Sequence, residues 1–240
     1  MYGLGTIINT LAILAGGVLG GLFGKLLSDS AQDTLTKICG VSTLFIAISG
    51  ALEGMLRIEN GVIVSGGSMM IIGCLSIGAL IGELMKIEDA FERFGSWLKI
   101  KTGNAKDQGF VHAFVTASLT VCIGAMAIVG SIQDGLMGDP STLFTKSVLD
   151  FVIVMVFASA YGKGALFSAL PVGVWQGSIT VLAVLLGGGI PPAAVENLGF
   201  MGSVLIFCVG VNLAFGQKFR VANMLPALLI GALMAVYLPV

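Results

Sequence analysis

Three side-chain amides and one carboxylate stand where an apolar chain has least reason to keep them. Asn9, Gln176 and Asn212 each interrupt a long hydrophobic run, and Asp150 precedes another, with Lys146 four residues earlier. An amide can offer its carbonyl oxygen to a cation or hydrogen-bond a polar solute from either end. A carboxylate at membrane depth can bind Na⁺ or carry a proton. Polar groups in hydrocarbon are costly, so each needs a partner or a task. Thr10 lies beside Asn9, and Trp175 beside Gln176, where an indole could wall a site. Each residue also has a plain alternative. The amides can glue helices together at about 1 kcal/mol or less per bond. Lys146 and Asp150 can sit on a helix end above the bilayer, both wet.

The elements that must position these residues are membrane helices. Hydrophobic residues make up 56% of the 240 and charged residues 10%, where a soluble domain carries about 25%. Mean hydropathy is +1.02. No hydrophilic stretch is long enough to fold alone, so the chain reads as a single transmembrane domain over 1–240. The spans are placed at Gly3–Leu27, Ile38–Leu56, Gly66–Lys86, Phe110–Ser131, Pro140–Tyr161, Ala165–Gly188, Ala194–Phe215 and Val221–Leu238. The fold class is all-α, a polytopic bundle of about eight helices, or seven if Gly162–Gly164 is not a turn. Ile87–Lys101 differs: Ile87, Phe91, Phe94 and Leu98 form one stripe opposite Glu88, Asp89, Glu92, Arg93 and Lys99. It reads as an amphipathic helix in the interface.

Glycine and charge add further constraints. Gly16, Gly20 and Gly24 repeat at four-residue spacing, a face that lets a second backbone approach closely, within the chain or in a homodimer. Ten of the twelve Lys and Arg residues fall on one side of the predicted spans, with Arg57 and Lys146 on the other. The basic side is cytoplasmic by the positive-inside rule, which puts both termini outside. Glu53, Arg57, Glu83 and Asp134 lie near span ends and read as interfacial. Asn9 precedes Gly20-Gly21 by the eleven residues that separate Gln176 from Gly187-Gly188. Spans 1–3 and 6–8 are therefore a candidate inverted repeat, an architecture that places transporter sites at mid-membrane. Pro171, Gly173 and Gly177 weaken the sixth helix beside Gln176.

Several chemistries lack their residues. There is no G-x-x-x-x-G-K-[ST] loop, no H-E-x-x-H, no C-x-x-C and no aromatic-interleaved basic patch. Cys39, Cys74, Cys122 and Cys208 stand singly in apolar runs. The chain therefore reads as no enzyme, with no metal site, no resident cofactor and no nucleic-acid partner.

The segments GTIINTLAILAGGVLGGLFG, VSTLFIAISGAL and LPVGVWQGSITVLA resemble the bacterial integral-membrane family known as domain of unknown function 554. The resemblance spans essentially the whole chain. It implies a polytopic protein of the bacterial inner membrane, of a kind sometimes guessed to be a Na⁺ channel or pump, and it supplies no functional residues. The residues themselves point to a secondary transporter or channel for a small ion or polar solute. Its site would lie among the first, sixth and seventh spans, and a gradient of Na⁺ or H⁺ would drive it. The alternative is a non-transporting membrane component that binds a partner through Gly16, Gly20 and Gly24.

Overall fold

The computed structural model describes residues 2–24, 28–123, 125–186 and 191–237. Lys25, Leu27, Gly187, Gly188 and Leu238 lie outside the described residues, so the glycine pair of the repeat is not placed. The chain is an all-α polytopic bundle. Its helices are α1 (Leu4–Phe23), α2 (Asp29–Met55), α3 (Ser68–Met85), α4 (Ile87–Lys101), α5 (Phe110–Cys122), α6 (Ala125–Met137), α7 (Ser141–Tyr161), α8 (Ala169–Leu186), α9 (Pro192–Phe215) and α10 (Pro226–Tyr237). Among the described residues, six helical stretches are long and apolar enough to cross a bilayer, and α5 with α6 makes a seventh if that bent pair is one span. Val221–Met234, the expected eighth, is shorter.

Glycine sets the packing. A Cβ on Gly16 or Gly20 would strike the carbonyl oxygens of Phe151 and Met155, and one on Gly24 would lie 2.8 Å from Ser159. The contacts advance in step, so α1 and α7 run parallel. Gly17 faces Leu166 and Gly173 faces Thr10, so α1 and α8 run antiparallel. It follows that α7 and α8 are themselves antiparallel and that the chain reverses between them. The break is at Gly162 (φ 100°), followed by a 3₁₀ segment over Lys163–Ser168. The remaining helices pair likewise: Gly40, Gly50 and Gly54 of α2 meet Ala214, Ser203 and Phe200 of α9, and Gly78 of α3 meets Ala227 of α10. Helices α1, α2 and α3 thus each pack antiparallel on α8, α9 and α10.

Three elements differ from the sequence reading. The fourth span is not one helix over 110–131. It bends by 58° between α5 and α6 and runs on to Met137. Gly109, before α5, lies against the Tyr161 carbonyl at the end of α7, whereas Thr142 at the start of α7 donates to Gln133 Oε1 of α6 at 2.7 Å. The bent pair therefore runs the whole length of α7, about 31 Å for 21 residues at ~1.5 Å each. Ser28 caps α2 by accepting from the Ala31 amide, so the helix starts nine residues before Ile38. Between α2 and α3 stands an antiparallel hairpin, β1 (Leu56–Glu59) and β2 (Val62–Ser65). Its Asn60-Gly61 turn has φ of 52° and 79°, the paired positive values a two-residue type I′ turn requires.

Helix α4 packs its apolar stripe on α5. Leu98 is buried, Phe94 stacks on Trp97 at 5.7 Å, and Phe94 also meets Phe114. Glu88 and Asp89 in its first turn and Lys99 and Lys101 in its last complement the helix dipole. Glu88, expected on the polar face, is buried because the start of α4 docks on the 221–224 turn.

Candidate functional site

Midway along α7, Lys146 and Asp150 face into the bundle one helical turn apart. The Lys146 ammonium donates to both Asp150 carboxylate oxygens at 2.7 Å, and the two side chains are 7% and 4% exposed. Both charges are thus buried by protein rather than exposed on a projecting helix end, and Lys146 does not belong to a loop charge count. From α1, Asn9 Nδ2 donates to Asp150 Oδ2 at 2.9 Å and to Gln176 Oε1 of α8 at 3.2 Å. Asn9 and Gln176 are fully buried. Three helices therefore converge on one hydrogen-bonded unit of two charges and two amides. Asp150 can only accept, which fixes the Asn9 NH₂ toward it and leaves Asn9 Oδ1 turned away.

The unit is incompletely satisfied. Asn9 Oδ1, Gln176 Nε2, Thr6 Oγ1, Thr180 Oγ1 and Asp134 Oδ1 are buried and find no hydrogen-bond partner among the described residues. Orphaned buried polar atoms cost about 1–3 kcal/mol each; Asn9 Oδ1 and Gln176 Nε2 belong to the unit itself, and Thr6 and Thr180 lie one turn from them along α1 and α8. Four of the five are oxygens or hydroxyls able to ligate a cation.

Asp134 keeps its place near a span end, three residues before the end of α6, but it is fully buried by protein: its Oδ2 accepts from the Gly5 amide at 3.0 Å, at the N-terminus of α1. A carboxylate there meets the positive end of the helix dipole. A signal was present: Gly130, Ser131, Asp134 and Gly135 share one helical face of small and polar residues. Ser131 is also fully buried. The α5–α6 pair packs against α7 and α8, two of the helices that carry this centre.

The other expected residues lie elsewhere. Thr10 is partly buried, donates back to the Thr6 carbonyl at 2.8 Å, and packs on Gly173. Trp175 is 37% exposed, because a residue next to Gln176 in a helix points about 100° away from it. It does not wall the cluster. Asn212 is not a third member. Its Nδ2 donates to the Phe219 carbonyl and its Oδ1 accepts the Lys218 and Phe219 amides, so it clamps the turn after α9. Helix α7, rather than the seventh span, completes the site with α1 and α8.

Cavities lie on both sides. A groove of about 330 Å³ between α1 and α8 is lined by Tyr2, Thr6, Gly177 and Thr180, one turn from Asn9 and Gln176. A larger cavity of about 770 Å³ opens near Glu88 and His112 and reaches Thr116 and Leu119 on α5, one turn before Cys122.

Comparison with known proteins gives relatives without an assigned role. The chain is 31% identical over 226 residues to the "Uncharacterized membrane protein YdfK" of Bacillus subtilis (strain 168), covering 94% of this chain and 93% of the relative. It is 29% identical over 231 residues to the "Uncharacterized protein YqgA" of Escherichia coli (strain K12), covering 95% and 94%. No solved structure matches. A family model matches residues 4–236, nearly the whole chain, and the protein belongs to that family, described as "Protein of unknown function (DUF554)".

Proposed function

We propose that this membrane protein transports a small ion or small polar solute, driven by a gradient, through a site built by Asn9, Lys146, Asp150 and Gln176. The observation that carries this reading is the buried unit itself, a carboxylate held by an internal ammonium and an amide and ringed by unpartnered polar atoms. A structural ion pair would be expected to have its remaining donors and acceptors satisfied. Lys146 acts as a tethered competitor. A Na⁺ or proton reaching Asp150 releases the ammonium, and its departure restores the pair, which couples occupancy to the contact between α1 and α7. The bend between α5 and α6, which pack on α7 and α8, supports the reading, because interrupted helices line transporter sites. Antiparallel packing of α1, α2 and α3 on α8, α9 and α10 suits an inverted repeat that rocks about the site. The reading assigns the chain no catalytic role, and the coupling ion is cargo rather than cofactor.

The test is flux. Asn9→Leu and Gln176→Leu each remove one amide from the unit without removing a charge. Each is expected to abolish uptake or flux in proteoliposomes while the protein stays folded and monodisperse. Normal flux in both variants sinks the assignment. The orientation belongs to the same proposal: the chain sits in the bacterial inner membrane with the Lys- and Arg-rich ends cytoplasmic and both termini outside. Thiol labelling from outside intact cells should reach a cysteine introduced at Asn60 and should miss one at Lys106; the reverse pattern inverts the topology.

The packing of Gly16, Gly20 and Gly24 on α7 counts against the non-transporting alternative, which takes them as its docking face.

A further inference from the structure

The cavity of about 770 Å³ at the Lys-rich end has a wall chemistry that the transport site does not explain. Asp33, Lys37, Glu88 and Glu92 line it, with the rings of His112 and Tyr161. Lys37 donates to Asp33 at 2.6 Å, so those two charges cancel. Glu88 and Glu92 remain, four residues apart on one face of α4. The nearest guanidinium, Arg220, is already held by Glu83 at 3.2 Å and by Asp89 at 2.5 Å.

Glu88 is the fixed point. It is 3% exposed, its amide donates to Asn223 Oδ1 at 2.8 Å, and its Oε1 accepts from Gln217 Nε2 at 3.2 Å. Its Oε2 is buried and makes no hydrogen bond of ordinary geometry among the described residues, although the Ala222 amide lies close enough to pull on the carboxylate. Burial pushes this carboxyl above the usual carboxylate range, against the pull of Arg220, so its ionised form gains from any added cation. Among the described residues no three His, Cys, Asp or Glu groups converge to hold a metal ion. The cavity is also far larger than a bare ion needs. The rings of His112 and Tyr161, in edge-to-face contact at 5.1 Å, add apolar wall for the carbon part of a ligand.

We infer that this cavity is a binding site for a small organic cation, a primary ammonium or guanidinium compound, with Glu88 as its counter-charge and Glu92 as a second, outer one. The site is distinct from the membrane-centre unit and does not depend on transport, because its occupancy is read on the resting protein.

Isothermal titration of the full chain in nanodiscs tests it, with agmatine and putrescine as probes and succinate and 1,4-butanediol as anionic and neutral controls. Saturable binding of the amines alone is expected. Glu88→Gln keeps the shape and the acceptor for Gln217, and it is expected to weaken agmatine about tenfold or more, as loss of a hydrogen bond to a charged group does. Glu92→Gln, at an exposed position, costs about fivefold or less. Gln108 is an exposed lining residue, and Gln108→Lys brings a positive charge into the wall and weakens the amines without touching the core. It decides the matter if Glu88→Gln melts early. Absence of saturable amine binding overturns the proposal, as does equal binding of succinate, or unchanged agmatine affinity in both Glu88→Gln and Gln108→Lys.

Discussion

Asp150→Leu is expected to destabilise the bundle by about 3–5 kcal/mol, the cost of leaving a buried lysine charged and alone. Among the described residues Lys146 has only the Asp150 oxygens within 2.7 Å, and Asn9 Nδ2 loses its shorter bond in the same step. The thermal melt of the purified protein in detergent should therefore fall sharply. The paired variant Lys146→Met/Asp150→Leu should recover it. Replacing a buried ion pair by apolar groups of similar volume is often neutral or stabilising, and Asn9 keeps its 3.2 Å bond to Gln176. Folding and function then separate. Under the transport reading the paired variant folds well and carries no flux. A paired variant with wild-type flux makes the pair a structural device only. If the single variant melts like wild type, the pair is hydrated in the membrane and the competition between Lys146 and a cation has no basis.

Much of this centre was legible in the sequence, and the part that was not has a physical cause. Asn9, Gln176 and Asp150 stood out because polar groups in hydrocarbon are rare enough to read singly. Even the pairing of Lys146 with Asp150 followed from four-residue spacing. What spacing could not supply was rotation. Trp175 neighbours Gln176 in sequence, yet a helix turns it to the outer surface. Asn212 sits in an apolar run, but it lies within reach of the turn that it clamps, and local backbone groups satisfied it first. The burial of Asp134 against α1 was not foreseen because its helix was ended six residues early. An α-helix that continues through a bend keeps its small polar face pointed inward, and hydropathy alone cannot see that. The hairpin had a readable signal in Asn60-Gly61, between the alternating Leu56-Arg57-Ile58-Glu59 and the β-branched Val62-Ile63-Val64, which the search for helices passed over. Which helices touch was legible only where glycine imposed it.

Gly20 and Gly21 are neighbours of one type in one helix, and opposite outcomes are expected for them. A Cβ on Gly20 would strike the Met155 carbonyl oxygen and lie 2.9 Å from Ala158 Cβ, both on the face of α7. The Gly20 carbonyl also accepts from Ser159 Oγ at 3.0 Å, a bond that needs the two backbones close. Gly20→Leu must push α1 off α7, and a carbonyl fixed in a helix cannot swing aside as a flexible side chain can. The loss should exceed the ~1–3 kcal/mol usual for overpacking. Because α1 also carries Asn9, flux should fail with it. At Gly21 an added Cβ meets nothing within 4 Å. Gly21→Leu should leave the melt unchanged or raise it, since leucine favours a helix over glycine by up to about 1 kcal/mol. The comparison also decides what the ladder of Gly16, Gly20 and Gly24 is for. If it docks a second copy or a foreign partner, Gly20→Leu spares the melt of the isolated chain and removes only the partner. If it seats α1 on α7, the isolated chain itself is lost, and the ladder's task is to hold Asn9 within hydrogen-bonding distance of Asp150.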